Sequence, residues 1–195
     1  MGSLRSSAQD HDLGHLATES LAANRNQSSR WRNAMSDEIG GYRRRVEAAR
    51  REVAALPRLG WGQAGPVDEQ TGERWDRGNV LGHMAEMLPF WTAQVREVVE
   101  GGRTVIGRDE LGYASRRQGI EGGREAGEEE LLGGVAAGLD DLLALLGSLR
   151  AEDLDRRVTY RAARRPAREV DLRYILEELQ VGHVEDHLRQ LRELG

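Results

Sequence analysis

Apolar residues recur every third or fourth position in four separate stretches of this sequence, and that period admits few folds. Between Asp37 and Leu56 the series is Ile39, Tyr42, Val46, Ala49, Val53 and Leu56. This is one buried face of a helix that Ser36 or Asp37 can cap and that Pro57 and the GWGQAGP loop end. In RWDRGNVLGHMAEMLPFWTAQVREVVEGG the stripe is Val80, Met84, Met87, Trp91, Val95 and Val98, with Asp76 as N-cap and Gly101 and Gly102 as the stop. Pro89 inside this run is expected to remove a hydrogen bond and kink the helix. A third helix is expected over Glu128 to Leu149, with Leu131, Val135, Leu139, Leu142, Leu146 and Leu149 on one side and acids at its start, where the helix dipole favours them. Asp171 caps a fourth, whose stripe reads Leu172, Ile175, Leu176, Leu179, His183, His187, Leu191 and Leu194. Strand signals are poor, with RVTY at 157–160 the best of them. The expectation is an all-α four-helix bundle. Residues 103–127 form a long crossover between helices two and three and carry one short helix near Asp109 to Arg117.

Outside those stretches, residues 1–34 are polar and aperiodic and read as a flexible N-terminal extension, leaving 35–195 as the domain. Met35 is a natural start for it. With a formal net charge of -5, the 195-residue chain has nothing that favours nucleic acid or an anionic membrane surface. No apolar run approaches the roughly 20 residues that span a bilayer, and no apolar signal core opens the chain. A cytoplasmic protein acting on a small molecule is the expectation.

Two residues of the fourth stripe are not what a core asks for. His183 falls near its middle and His187 at its flank, where leucine would be cheaper, because burying imidazoles without partners costs free energy. Four apart on a helix, their Cβ atoms lie about 5–6 Å apart, near enough to converge on one ion. His83 points a third imidazole inward from helix two, near the face of Met87 and Phe90. The chain has no cysteine, so any metal must be held by imidazole, carboxylate or water. Three neutral imidazoles leave coordination positions open to water or substrate, the pattern of a catalytic site. The competing reading is a set of hydrogen-bonded core histidines, and spacing alone does not decide between them.

Around this trio, Asp186 and Gln190 share the inner side of helix four and Glu86 follows His83 by one turn, so all three are candidates to orient an imidazole or a bound water. Trp91, Arg164 and Arg165 are candidates for touching substrate, the arginines belonging to the cluster Arg161, Arg164, Arg165 and Arg168. Three other signals are set aside. His11 and His15 share the four-residue spacing but lie in the polar tail beside Gly14. GIEGGREAG lacks the preceding strand and the Gly-Lys-Ser/Thr ending of a phosphate loop. Val184 occupies the place of the general-base glutamate of a zincin, so no H-E-x-x-H mechanism is expected.

Taken in order, WDRGNVLGHMAEMLPFWTAQV and LEELQVGHVEDHLRQLREL resemble the DinB/YfiT-like metalloenzyme superfamily. The matching points are a Trp-led helix start ahead of an inward histidine, here Trp75 and His83, and a last-helix H-x3-H-x2-Q, here His183, His187 and Gln190. The resemblance covers about residues 36–194. It implies an up-down-down-up four-helix bundle, a divalent metal (Zn, Ni or Fe) on the three histidines, and a homodimer. Relatives include thiol-dependent transferases and isomerases that use mycothiol or bacillithiol. The expected function is therefore a divalent-metal-dependent transferase, isomerase or hydrolase, with a low-molecular-weight thiol as cosubstrate. The alternative is a non-catalytic metal- or ligand-binding bundle of a stress or regulatory kind.

Overall fold

A computed structural model describes residues 37–67, 72–163 and 165–194. The expected N-terminal extension, with His11 and His15, and Arg164 lie outside the described residues.

The first helix, α1, covers residues 37–55, and its six stripe residues from Ile39 to Leu56 are all buried. Helix α2 runs Arg77–Gly101. Its start is fixed by a reciprocal cap: Asp76 Oδ1 accepts from Asn79 N–H, and Asp76 N–H donates to Asn79 Oδ1, each at 3.0 Å. Its end is fixed by Gly102, whose φ of 68° is the left-handed conformation that glycine adopts without strain. The helix continues through Pro89, so the proline removes one hydrogen bond without ending it. Helix α4 runs Glu128–Ser148 with three glutamates in its first turn. Its six expected stripe residues are buried, and at Gly138 the backbone comes close enough to α2 that a Cβ would lie 2.7 Å from Leu88 Cβ.

Arg77, 1 % exposed, joins three of these parts. Its guanidinium donates to Glu128 Oε1 and to the Pro57 carbonyl, both at 2.8 Å, tying the exit of α1 to the starts of α2 and α4. Burial pushes the Glu128 carboxyl up. Arg77 and the Gly60 N–H outweigh that and hold it below the ordinary carboxylate value.

Two features differ from the all-α expectation. The crossover carries a 13-residue helix, α3 (Glu110–Gly122), longer than expected and capped by Asp109. It is seated through glycine: a Cβ at Gly82 of α2 would strike the Gly119 carbonyl oxygen, and one at Gly123 the Gly78 carbonyl oxygen. The chain also forms a small mixed sheet of β1 (Val105–Gly107), β2 (Arg157–Arg161) and β3 (Arg168–Asp171), in spatial order β1-β2-β3. β1 pairs parallel to β2 with Val105 opposite Thr159, and β2 pairs antiparallel to β3 with Val158 opposite Val170. Each strand adds an apolar residue to the core, namely Ile106, Val158 and Val170. Strands this short give no period to read.

The last helical stretch has three parts: α5 (Leu172–Tyr174) capped by Asp171, a π-helical turn (Ile175–Val181), and α6 (Gly182–Glu193). The π turn moves the buried face by one residue. Leu172, Ile175 and Leu176 are buried as expected, but beyond them Gln180, Val181, Val184, His187, Leu188 and Leu191 face inward, while Leu179 and His183 are only half-buried. Gly182 permits the close approach at the end of this wider turn, since a Cβ there would lie 2.5 Å from the Glu177 carbonyl oxygen. Arg45 of α1 bridges the turn to α6, donating to Glu177 at 2.6 and 2.9 Å and to Glu185 of α6 at 2.8 and 2.7 Å.

Among the described residues, α4 alone is long and apolar enough, by length and composition, to cross a membrane, although Asp140 and Asp141 interrupt its apolar residues. Its apolar stripe is packed in the core.

Candidate metal centre

α2 and α6 bring His83, His183 and His187 together. One ring nitrogen from each lies within 4.8 Å of the others, and His83 Nε2 is 3.3 Å from His183 Nε2. Two nitrogens bound to one tetrahedral ion at about 2.0–2.1 Å would sit about 3.3–3.4 Å apart, so this pair is already at ligand spacing. His183 owes its place to the π turn, which shifts it from the middle of the core, where its sequence position puts it, to the core's edge.

His187 Nδ1 lies 3.1 Å from Gln190 Oε1. An amide oxygen can only accept, so the proton is on Nδ1 and Nε2 carries a lone pair. That Nε2 is buried and meets no hydrogen-bond donor among the described residues, and His83 Nδ1 is likewise buried without a partner. A stranded polar atom costs about 1–3 kcal/mol, and a cation among the three rings would take up the His187 lone pair. The residues present therefore fit a divalent metal.

The electrostatics agree. Burial pulls all three imidazoles below their ordinary value. For His83 the neighbouring His187 and His183 add to the effect, followed by Arg116 and Arg108. For His187 burial and His183 outweigh the Gln190 hydrogen bond and Asp186, taking it to about 3. At neutral pH the rings are uncharged, as metal ligands must be.

A cavity of about 430 Å³ opens on the trio. Trp75, one residue ahead of the α2 cap, forms its wall: its ring stacks on His187 at 5.8 Å and 22° and meets His83 edge-on at 5.2 Å. Arg116 of α3 stands over the Trp75 ring, 5.6 Å from its centroid, and meets Glu73 at 3.7 Å.

The sequence model of the DinB superfamily matches residues 21–191. The chain belongs to the DinB superfamily. The match begins upstream of residue 36, where the resemblance by motif starts. No curated protein and no solved structure matches the chain.

Within this DinB fold the other candidate residues separate. Gln190 is the one that reaches an imidazole, through its contact with His187 Nδ1. Asp186 does not touch an imidazole: its side chain is 65 % exposed and pairs with Arg189, because the shifted register turns it outward. It acts on His183 and His187 only through its charge. Glu86 is neither a partner of His83 nor a solvated acid. Arg108 binds both of its oxygens at 2.7 Å, donates to the Gly112 carbonyl at 2.8 Å, and lies over the Phe90 ring. Trp91 is buried in the core but also walls a smaller chamber beside the histidines. Arg165 lines a different cavity, with Tyr160, Arg168 and Tyr174.

Sequence reasoning missed Arg108, Arg116, Tyr113 and Tyr160, which all reach the site. Three of them stand on or just before α3, whose single buried residue, Ile120, leaves no stripe to announce an inward face. The one available signal was the pair of arginines eight apart, Arg108 and Arg116, on either side of the capping Asp109.

Proposed function

We propose that this DinB protein holds a divalent ion, Zn²⁺, Ni²⁺ or Fe²⁺, on His83, His183 and His187, and that it is an enzyme transferring or isomerising a small molecule with a low-molecular-weight thiol as cosubstrate. The observation that carries this reading is the convergence of three neutral imidazoles, one with a buried unpartnered lone pair, on the floor of a cavity. A site with three protein ligands and open space suits reaction better than structural support. When bound, the ion would supply Lewis acidity to a thiol, water or substrate oxygen. The chain's own residues do the rest. Gln190 fixes the His187 tautomer, Trp75 limits water on one side and offers a flat apolar surface, and Arg116 places a positive charge beside the rings. The same reading takes the four long helical stretches as an up-down-down-up bundle, the protein as a cytoplasmic homodimer, and its ligand as a small molecule rather than nucleic acid or membrane.

Elemental analysis of untagged protein beside its His183→Ala variant tests it. One equivalent of metal per chain, lost in the variant, is expected, followed by thiol-dependent turnover. An absence of metal in both, with reconstitution also failing, would overturn it. Bound metal without thiol-dependent turnover would leave the non-catalytic metal-binding bundle.

A further inference from the structure

Of the cavities that the histidines border, two share three side chains. His83, His183 and Arg116 line both the 430 Å³ cleft and a chamber of about 170 Å³. The two differ in charge. Glu73 and Glu193 line the cleft alongside Arg116. Among the described residues the chamber is lined by Arg108 and Arg116, two tyrosines, Trp91, Leu179 and the two imidazoles, with no carboxylate. It is well below the roughly 300–1,000 Å³ that takes a drug-sized ligand.

Its two arginines are held differently. Arg108 is 5 % exposed, and Glu86 and the Gly112 carbonyl fix it, so it forms an immobile positive wall. Arg116 is a quarter exposed, and its 3.7 Å contact with Glu73 is longer than a direct hydrogen bond. A planar guanidinium so placed can turn two parallel N–H groups to a carboxylate. Tyr113, whose oxygen accepts from Ala163 N–H at 2.6 Å, keeps its own hydroxyl proton to donate.

We propose that this chamber binds a small carboxylate, or the carboxylate-bearing end of the substrate, with Arg116 as its pairing group, beside His83 and His183. The assignment rests on the preceding reading of the histidines as the reacting centre and adds the substrate's class to it. A larger cosubstrate then occupies the cleft, and the two molecules meet at the histidines. The parallel N–H groups of the Arg116 guanidinium match the planar pair of oxygens of a carboxylate, whereas the three terminal oxygens of a phosphate would call for more donors.

The test uses full-length protein stripped of metal, so that chelation does not mimic binding, and titrates malonate against its uncharged analogue malonamide and against inorganic phosphate. Tryptophan fluorescence from Trp75 and Trp91 and the melting temperature report binding. A saturable response to malonate is expected, absent with malonamide, weakened at least tenfold in Arg116→Gln, and partly restored in Arg116→Lys. Should Arg116→Gln fail to fold, Leu179→Trp, which fills the chamber and leaves both arginines, must abolish the response. No saturable malonate response, an equal one in the variants, or tighter binding of phosphate would overturn the proposal. Zinc uptake by the same preparations is read separately. Zinc binding without malonate binding discards the chamber and keeps the metal centre; malonate binding without zinc does the reverse.

Discussion

Adding one methyl group to α2 at Gly82 should destabilise this protein, although the same change elsewhere should stabilise it. In a helix interior alanine is favoured over glycine by about 0.8–1.0 kcal/mol. At Gly133 of α4 nothing lies within 4 Å of the new Cβ, so Gly133→Ala should collect that gain in full. At Gly82 the Cβ would overlap the Gly119 carbonyl oxygen and lie 3.0 Å from Gly123 Cα. Both obstacles are backbone, so no rotamer change relieves them and α3 must move as a body. Overpacking costs about 1–3 kcal/mol, and a rigid obstacle belongs in the upper half of that range. Subtracting the helix gain leaves a net loss of about 1–2 kcal/mol. For a chain of this size each kcal/mol moves the melting temperature by about 2–4 °C, so Gly82→Ala should melt roughly 2–8 °C lower and Gly133→Ala slightly higher. Calorimetry of the two variants beside the parent decides it. A rise in both would refute the glycine seam and with it the account of how α3 carries Arg116 to the site.

Three further outcomes are expected. Glu128→Ala strands the buried Arg77 charge, at a cost of about 3–5 kcal/mol that the remaining Pro57 contact holds toward the lower end. Because Glu128 is held below its ordinary 4.5, its contribution is complete above that pH and lost as pH falls through the lower folded value. The urea midpoints of parent and variant should therefore differ at pH 7 and converge in acid, and a gap persisting to pH 2 would sink the assignment. Gln190→Ala frees the His187 tautomer and should weaken metal binding about 10–100-fold in competition with a chromogenic chelator; unchanged affinity would argue against Gln190 as its anchor. Deleting Leu179 should leave fold and metal content intact, since Leu176, Gln180 and Val184 then follow one α-helical period. Loss of metal would show that the π turn is more than one extra residue.

Helix ends were legible wherever chemistry marks them, at Asp76, Asp109, Asp171 and Gly102, and so were the histidines, whose polarity interrupts a stripe of leucines. What escaped notice had no such mark. The π turn leaves a sequence that scans as continuous helix, and only the burial of Val184 and Leu188 in place of Leu179 and His183 reveals the shift. Arg77 gives no sign of burial because its partners, Glu128 and Pro57, are distant in sequence. The glycines of GIEGGREAG read as loop, whereas the structure uses two of them to bring helices into backbone contact. Such contacts depend on what lies opposite, which a single chain segment does not record.

His83 and His183 stand 100 positions apart, on separate helices that must dock before the two imidazoles meet. A partly folded chain that has formed α2 or α6 alone offers an ion one or two imidazoles, and the full set exists only after those helices dock. An ion selective for that set acts late, contributing nothing to the early search and resisting separation of the docked helices afterwards. In kinetic terms the centre is a latch rather than a nucleus: loading it should slow unfolding while leaving the folding rate nearly unchanged.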